Sequence, residues 1–536
     1  MMKRNVNRML SALLIISGLT FFSCTKSNPD GDKKVYHAGN GAEPASIDPH
    51  IATGVPEHHI MVALFEGLSS PEPKTLAPSP GAAERWDISD DLKTYTFYLR
   101  KDGKWSDGTP VTAQDFVFSW MRSLAPGLSE YAYMLYPVKN AEEFNLGKLK
   151  DFSKVGIQAK DDHTLVVTLK AATPYFLTLL HHYSTWPVPK ATIEKYGDWN
   201  DRNNTWTQPG KIVSNGPFKL KAHELNKKLV VERNPNYWNA SIVKLDEIHF
   251  YPTTDLSSEE REFRTGKLHF TYEIPAHKVQ KLVEENPEET RITPYLGTYF
   301  YRFNVTKKPM NDVRVRKALA LTVDRESLVK NVTRANQVPA YSFVPPDTAG
   351  YTSENRLDGN IDDAKKLLAE AGYPEGKGFP KVDILFNTHD LHKDVAVAIQ
   401  QMWKKNLGID VGLNNQEWKV YLDTEKKLNY NVSRAGWIGD YNDPNTFLDM
   451  FTSYSGNNRT GWKNKEYDAL IGKASITGDQ KERYSILQQA EKMLIDNMIV
   501  LPLYTYTVKH MVSKKLTGYH DNILDTHMYQ YMDLKE

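Results

Sequence analysis

Cysteine is almost absent from this chain of 536 residues, and its one copy is Cys24. A single cysteine excludes every disulfide within the chain, and it also excludes the paired CxxC motifs of metal and redox sites. A basic excess is absent too, because 67 lysine and arginine residues stand against 66 aspartate and glutamate residues. This balance gives no indication of a nucleic acid partner.

Familiar catalytic motifs are missing as well. The sequence contains no HExxH, GxSxG or Walker A pattern, and no GxGxxG follows a predicted strand. The adjacent pairs His58–His59 and His181–His182 are expected to be surface or core residues, since neighbours on a strand point to opposite faces and make poor joint metal ligands. Neither a metal nor a cofactor is predicted. Catalytic triads are defined by geometry, so missing motifs alone do not exclude an enzyme.

Long hydrophobic runs are confined to residues 9–22, which follow three basic residues. This run is too short to span a bilayer comfortably and ends at the small residue Ser23. The pattern is typical of a secretory signal peptide over residues 1–23.

Cys24 follows directly, and the segment FFSC at 21–24 is similar to a bacterial lipobox, in which the cysteine thiol receives a diacylglycerol. Several acyl chains together hold a protein at a membrane far better than one chain does. The next ten residues are polar and typical of a flexible tether, so residues 24–34 are predicted to be the lipidated cysteine and its tether. The sequence thus predicts a lipid-anchored protein outside the cytoplasm, in the periplasm or at the cell surface.

What is present is the composition of a globular protein, with 40% hydrophobic and 25% charged residues. A chain of this length exceeds one hydrophobic core, so two or three domains are expected. The clearest unit is residues 381–413, where a strand, a helix ending at Gly408 and a second strand form a βαβ pattern with parallel strands. Ligands gather beyond the carboxyl ends of such strands, which here is the segment 387–392.

The stretch SRAGWIGDYNDPNTFLDM at 433–450 raises a specific question. Asp443 is a good N-cap and Pro444 suits the first position of a helix. Asp440 lies just upstream, between Gly439 and Tyr441. It is either an exposed carboxylate in a turn or a carboxylate in an aromatic cleft that receives a positively charged group of a ligand.

Several long stretches, in a fixed order along the chain, carry a family resemblance. They are GAEPASIDPH (41–50), FEGL (65–68), and the segments 93–126, 214–239, 311–326, 339–346, 381–413, 415–424 and 434–444. Together they resemble the periplasmic oligopeptide-binding proteins of ABC importers, over roughly residues 35–530.

The resemblance implies an α/β protein with mixed sheets and the two-lobed periplasmic-binding-protein (Venus flytrap) fold, extended by an extra domain. The implied divisions are domain I (35–55, 190–296 and 506–536), domain II (56–189) and domain III (297–505). A peptide would be enclosed between the lobes.

The resemblance also implies a set of peptide-binding residues. Asp440 takes the position that pairs with the free α-amino group of the peptide. Arg434 and His392 take positions that bind the peptide carboxylate. The remaining residues implied to lie at the peptide, as pocket walls or backbone contacts, are Gly436, Trp437, Ile438, Trp418, Glu43 and Tyr131.

At five positions this sequence departs from the family pattern or from some of its members. Thr333 and Glu425 stand where relatives place basic partners for the peptide carboxylate, and Arg302 stands where relatives carry an acidic residue. Gly297 and Ile438 occupy the positions that form a disulfide in some members. The peptide-binding assignment survives these changes, and we expect the preference among ligand side chains to shift.

The leading hypothesis is therefore a monomeric, lipid-anchored receptor, not an enzyme, that binds short peptides and delivers them to the permease and ATPase subunits of an ABC importer. One alternative is a receptor for another solute on the same fold. The other is an envelope hydrolase or adhesin derived from that fold.

Overall fold

The computed structural model describes residue 31 and residues 33–535. The predicted signal peptide and Cys24 lie outside the described residues. Residues 34–535 lie in one compact unit. Within the described part of the chain, every helix is too short or too polar to cross a bilayer.

Eighteen strands are found in the described residues. They are β1 (Val35–Gly39), β2 (Ser69–Pro71), β3 (Pro78–Pro80), β4 (Ala83–Ile88), β5 (Thr94–Leu99), β6 (Ile157–Asp161), β7 (Thr164–Thr168), β8 (Phe218–Glu224), β9 (Lys228–Arg233), β10 (Glu247–Tyr251), β11 (Thr290–Phe303), β12 (Val338–Pro339), β13 (Val382–Asn387), β14 (Val411–Gln416), β15 (Val432–Ile438), β16 (Val500–Met511), β17 (Leu516–Thr517) and β18 (Asp533–Leu534).

The same part of the chain contains fifteen α-helices. They are α1 (Val55–Leu64), α2 (Ala113–Ser123), α3 (Ala141–Asn145), α4 (Phe176–Leu179), α5 (Lys190–Tyr196), α6 (Leu256–Arg264), α7 (Val279–Glu285), α8 (Val313–Leu321), α9 (Arg325–Leu328), α10 (Ile361–Glu370), α11 (Asp390–Leu407), α12 (Trp418–Lys426), α13 (Asn445–Leu448), α14 (Lys465–Ala474) and α15 (Gln480–Asn497).

Three larger sheets organise these strands. The first has the order β1-β10-β9-β8, with β1 parallel to β10. The second has six strands in the order β12-β16-β11-β15-β13-β14 and mixes parallel with antiparallel pairs. The third has the order β4-β5-β7-β6 and is antiparallel throughout.

The βαβ unit forms as its sequence pattern predicts. Strands β13 and β14 are parallel, and α11 connects them. Val395, Ile399 and Trp403 recur at four-residue spacing and are buried against the six-stranded sheet. Gly408 ends the helix in the left-handed conformation, with φ of 69°, which glycine adopts at little cost.

Two long strands connect the first sheet to the second. β11 and β16 pair antiparallel along most of their length. Phe270 forms one β-bridge to Ala38 of the first sheet and another to Val512, just beyond β16. The ladder of β11 and β16 is interrupted by a register shift between Pro294 and Thr298. The predicted domain edges near 296 and 505 fall in this interrupted segment, although the division into three domains stays a prediction.

The six-stranded sheet buries both of its faces. Along β11, Tyr299, Tyr301 and Phe303 contact one core with α8 and α11, whereas Phe300 belongs to the other core. Side chains on successive residues of a strand point to opposite faces, so such a sheet requires apolar residues at nearly every position.

The helix start predicted at Asp443 and Pro444 lies one residue too early. Helix α13 begins at Asn445, with Pro444 as its N-cap. The carboxylate of Asp443 still accepts a hydrogen bond from the Asn445 backbone at 2.9 Å, but its main partner is the buried guanidinium of Arg483, at 2.6 and 2.9 Å. A tertiary ion pair therefore positions Asp443 in addition to the local cap.

Candidate functional site

A cavity of about 240 Å³ lies at the carboxyl ends of β13 and β15. Residues that lie far apart in the sequence line this cavity. They come from the start of α1, the loop after α4, the ends of β13 and β15, and the second half of β16. The segment 387–392 contributes Asn387, Thr388, His389 and His392. The segment predicted to lie at a ligand thus lines this cavity, and the binding of a ligand there stays a prediction.

Asp440 lies in the wall of this cavity, and its side chain is 8% exposed. The structure thus rules out an exposed turn carboxylate. Thr446 donates a hydrogen bond to the carboxylate at 3.1 Å, and His182 Nε2 lies 3.4 Å from the other oxygen. No lysine or arginine nitrogen lies within 4.0 Å of it among the described residues.

The charge of Asp440 is therefore not balanced locally. Burial lowers the pKa of His182 well below its usual value, so its ring is neutral and supplies no positive charge. Burial raises the pKa of Asp440 to about 8, and hydrogen bonds from Thr446 and Tyr131 oppose this shift only in part. The site favours a cation, because a positive group beside the carboxylate would offset the cost of burying it.

Strand β15 leaves one edge of its backbone open beside the cavity. On one side, residues 432–438 pair with β11 throughout. On the other side, only Val432 and Ser433 pair with β13, which then diverges towards β14. Residues 435–438 consequently present an unpaired strand edge at the cavity, among the described strands.

Arg434 is the cation at the start of this open edge. Its guanidinium donates to Asn387 Oδ1 at 3.2 Å and to the Tyr506 hydroxyl at 2.8 Å, and it stacks over the ring of Tyr299 at 4.7 Å. Its buried Nε has no partner, and no carboxylate lies within 4.0 Å, among the described residues. The arrangement suits a negatively charged group of a ligand.

His392 also lines the cavity, close to Arg434. Its ring stacks on His389 with centroids 4.5 Å apart, and Nδ1 lies 3.4 Å from the Tyr299 hydroxyl. Burial and the nearby charge of Arg434 hold the pKa of His392 well below its usual value. His392 is thus a neutral hydrogen-bonding group here and not a second cation.

The two tryptophans form fixed walls of the cavity. Trp437 donates from Nε1 to the Thr446 carbonyl at 2.7 Å, and Trp418 donates to Glu57 Oε1 at 3.2 Å. Trp418 also stacks on Tyr421, with ring centroids 5.7 Å apart. Both indoles face the cavity while their polar atoms are bonded to protein, so they offer apolar surface to a ligand.

Of the other predicted site residues, Tyr131, Gly436 and Ile438 line the cavity. A side chain at Gly436 would clash with the Tyr506 hydroxyl, since a Cβ there would lie 2.4 Å from it. Glu43 is not brought to the cavity. Its carboxylate bonds to His223 at 2.6 Å and to the Asn226 backbone at 2.8 Å, so it braces the loop that leads to the lining residues Gly41 and Ala42.

The sequence departures from the family pattern compensate one another in space. Arg302 donates to Glu425 at 2.9 Å, although the two are 123 residues apart. Thr333 is buried, and its hydroxyl donates to Gln337 at 2.8 Å, away from the cavity lining. At Glu425 and Arg302 the two charges of the family pattern are thus exchanged, and the two residues still form an ion pair.

Sequence reasoning missed part of the lining. The adjacent pairs His58–His59 and His181–His182 all face the cavity, and so do Tyr183 and Arg459. The expectation of surface or core roles rested on a strand geometry, whereas His58 and His59 lie on α1 and the other pair follows α4. Isolated histidines carry no motif, so no local signal could have located them.

A cavity with buried charges of both signs, an open strand edge and aromatic walls is suited to binding a ligand. The family model of bacterial extracellular solute-binding proteins, family 5 (middle part), matches residues 77–459, and the chain belongs to this family. The family consists of solute-binding proteins and not of enzymes, which confirms that prediction and places the chain outside the cytoplasm. Periplasmic oligopeptide-binding protein OppA of Salmonella typhimurium is 41% identical over 539 residues, covering 97% of each chain.

Solved structures agree with this assignment. The murein tripeptide binding protein MppA of Escherichia coli has a TM-score of 0.89 at 37% identity, covering 94% of this chain and 99% of that one. OppA of Haemophilus influenzae in complex with the peptide RPPGFSPFR has a TM-score of 0.86, with the same identity and coverage. These neighbours are two-lobed periplasmic binding proteins, which confirms the predicted fold class.

The open state of one relative differs from the present structure. The unliganded open form of MppA has a TM-score of only 0.61, again at 37% identity, covering 94% of this chain and 98% of that one. The two MppA structures have the same sequence identity to this chain but different TM-scores, so they differ from each other in the arrangement of their lobes. The present chain has the arrangement of the first MppA structure.

Proposed function

We propose that this protein is a receptor that binds short peptides and delivers them to the permease and ATPase subunits of an ABC importer. The observation that carries the proposal is the Asp440 carboxylate, which is buried in a cavity wall without a cation within 4.0 Å among the described residues. The free ammonium group at the start of a peptide supplies the missing charge. A sugar or a metal chelate has no ammonium group to pair with this carboxylate.

The peptide backbone binds at the open edge of β15. Residues 435–438 offer unpaired backbone groups beside the cavity, so an extended peptide can add to the sheet as another strand. Pairing of main chains requires no particular side chain in the ligand. This accounts for affinity without strict sequence preference.

The opposite charge of the ligand is bound near the start of β15. Arg434 has an unpartnered buried Nε and no carboxylate within 4.0 Å among residues 33–535, so it can receive the carboxylate of the peptide. His392 assists as a neutral hydrogen-bond donor. Trp418, Trp437, Tyr131 and Ile438 enclose the ligand side chains, with water filling the remaining space.

A direct test separates binding from hydrolysis and from other solutes. The purified protein is analysed by native mass spectrometry, first as isolated and then after incubation with defined tripeptides. Intact peptides in the bound state are expected. Cleaved peptides would indicate a hydrolase, and co-purification of a different solute with no peptide binding would contradict the proposal.

Delivery requires the receptor to open and close. We place the hinge where β11 and β16 lose their regular pairing, between Pro294 and Thr298, because these two strands connect the first sheet to the six-stranded sheet. The division into domain I (35–55, 190–296, 506–536), domain II (56–189) and domain III (297–505) is the one that the family resemblance implies, and its edges near 296 and 505 coincide with this position. We propose that the protein works as a monomer.

The receptor is held at a membrane by lipid on Cys24. The change Cys24→Ala removes the thiol that would carry the lipid, so incorporation of labelled fatty acid into the protein is expected to be lost. Peptide affinity should be unchanged. Labelling of the variant equal to that of the unchanged protein would contradict the lipid anchor, and Thr25→Ser, beside Cys24, is a matched control.

A further inference from the structure

Glu425 is the centre of a buried charge cluster in the cavity wall. Arg302 donates from Nη1 to Glu425 Oε2 at 2.9 Å, and Arg459 donates from Nη1 to the same oxygen at 3.3 Å. Ser433 donates to the other oxygen, Oε1, at 2.7 Å. The three charged side chains are 2–8% exposed.

The cluster carries more positive than negative charge. Two guanidinium groups share one carboxylate, which leaves a formal excess of one positive charge. The carboxylate of Glu130 also acts on Arg459, but it is shared with Arg202 and Lys426, two further cations, so it does not cancel the excess. The excess charge therefore stays in the cluster.

Hydrogen-bonding capacity is left over in the same place. A guanidinium has five N–H donors, and the buried Nε of both Arg302 and Arg459 lacks a partner among the described residues. A buried charge without a partner costs several kcal/mol, so a protein does not keep one without compensation. Arg302, Glu425 and Arg459 all line the cavity that contains Asp440.

We propose that Arg459, together with Arg302, binds a carboxylate group of the ligand and makes this receptor prefer acidic peptides. The inference rests on the proposed function and names the ligand class that the same cavity selects. The carboxylate is that of an aspartate or glutamate side chain, because Arg434 receives the carboxylate at the end of the peptide. Glu425 orients the two guanidinium groups without neutralising both.

The local structure fixes Arg459 for this role. The Tyr430 hydroxyl donates to the Arg459 carbonyl, and Asn457, two residues earlier, donates to the Tyr133 hydroxyl at 3.3 Å. Arg302 is held in β11, with its guanidinium 5.5 Å from the ring of Phe300. Groups that are already positioned lose little conformational entropy when a ligand binds.

The test uses isothermal titration of the whole protein with matched peptides. One series places a single Glu or Gln at each position of alanine tetrapeptides, and a second series compares free and amidated C-termini, which report on Arg434. We expect Glu to be preferred over Gln about tenfold or more at one position. Arg459→Gln should reduce the ratio of Glu to Gln affinity to about threefold or less and should leave the ratio of free acid to amide unchanged.

Two further variants exclude a merely structural effect. Glu425→Gln leaves both guanidinium groups without their carboxylate and should increase the preference for the acidic peptide, whereas general damage would weaken every peptide alike. Arg356→Gln removes an exposed arginine outside the cavity lining and should change nothing.

The outcomes are distinct. Binding of all peptides with no preference for Glu over Gln, or with a Glu-to-Gln ratio that Arg459→Gln leaves unchanged, would overturn this inference and leave the proposed function intact. Failure to bind any peptide would overturn both.

Discussion

Asp440 and Asp443 lie three residues apart, both with buried carboxylates, yet their surroundings are opposite. Asp443 accepts two hydrogen bonds from Arg483, at 2.6 and 2.9 Å. Asp440 has Thr446 and a neutral histidine beside it, and no lysine or arginine within 4.0 Å in the described part of the chain. One carboxylate has its cation inside the protein, and the other has room for a cation from outside.

This difference separates a structural charge from a binding charge. Burial of a carboxylate is costly, and an internal guanidinium compensates that cost permanently. Where the compensating group is absent and a cavity is adjacent, the cost is compensated only when a ligand arrives. The pairing of a buried charge, rather than its burial, therefore indicates whether it serves the fold or the ligand.

The largest effect is expected for the structural carboxylate. Asp443→Asn leaves Arg483 buried without its partner and should lower the free energy of unfolding by about 3–5 kcal/mol. Asp440→Asn, the matched control, should leave the stability of the ligand-free protein equal or higher, because it removes a charge that burial disfavours. Equilibrium urea unfolding measures both. Equal destabilisation by the two changes would contradict the distinction between a structural Asp443 and a ligand-binding Asp440.

The binding carboxylate should show its effect with ligand present. Asp440→Asn is expected to weaken binding of a tripeptide by about 2–5 kcal/mol, or roughly thirtyfold to several thousandfold. Acetylation of the peptide amine should weaken binding to the unchanged protein similarly, and the two changes together should be strongly non-additive. Isothermal titration of both peptides against both proteins measures this. Additive losses would mean that the amine binds elsewhere.

Binding should also depend on pH in a defined direction. The pKa of Asp440 in the empty cavity is about 8, so the carboxyl is protonated at pH 6 and must lose its proton to pair with the peptide ammonium. Affinity should rise by up to about tenfold per pH unit from pH 5 to about 7, with about one proton released. Above pH 8 it should fall, as the α-amino group with its pKa of about 8 loses its charge.

The same raised pKa affects the ligand-free fold. The folded protein holds a proton on Asp440 that the unfolded chain loses near pH 4, so this group's contribution to stability declines as pH rises from about 4 to about 8. Asp440→Asn should remove both the decline in stability with rising pH and the pH dependence of peptide affinity. Asp443→Glu leaves Asp440 in place and should retain both effects. Titrations and thermal unfolding at pH 5, 6, 7 and 8 measure the two effects, and identical profiles for Asp440→Asn and the unchanged protein would contradict the assignment.

The smallest effect concerns shape. If a ligand supplies the missing cation only in the closed state, a tripeptide should shift the lobes from open to closed, because it contacts both lobes only there. Small-angle scattering of peptide-free and saturated samples should reveal a decrease in the radius of gyration. Asp440→Asn should reduce this response at limiting peptide concentration. An unchanged radius at proven saturation would count against hinge closure.

Local pattern was sufficient for the regular elements. The βαβ unit and its end at Gly408 follow from apolar periodicity and one glycine, and both form as predicted. The helix predicted to start at Asp443 and Pro444 begins one residue later, and the ion pair of Asp443 with Arg483, forty residues away, is invisible to a local pattern. Glu43 was expected at the peptide but is held by His223 and Asn226 outside the cavity lining.

The sequence by itself determined the α/β class, the family and the positions of Asp440 and Arg434, because these depend on short-range periodicity and on motifs that are continuous along the chain. Only the tertiary structure decided which charges are paired. Arg302 and Glu425 look like two separate departures in the sequence and form one ion pair in space, to which Arg459 adds the excess charge. Electrostatic compensation acts through distance and burial, and the folded chain sets both between residues that lie far apart in the sequence.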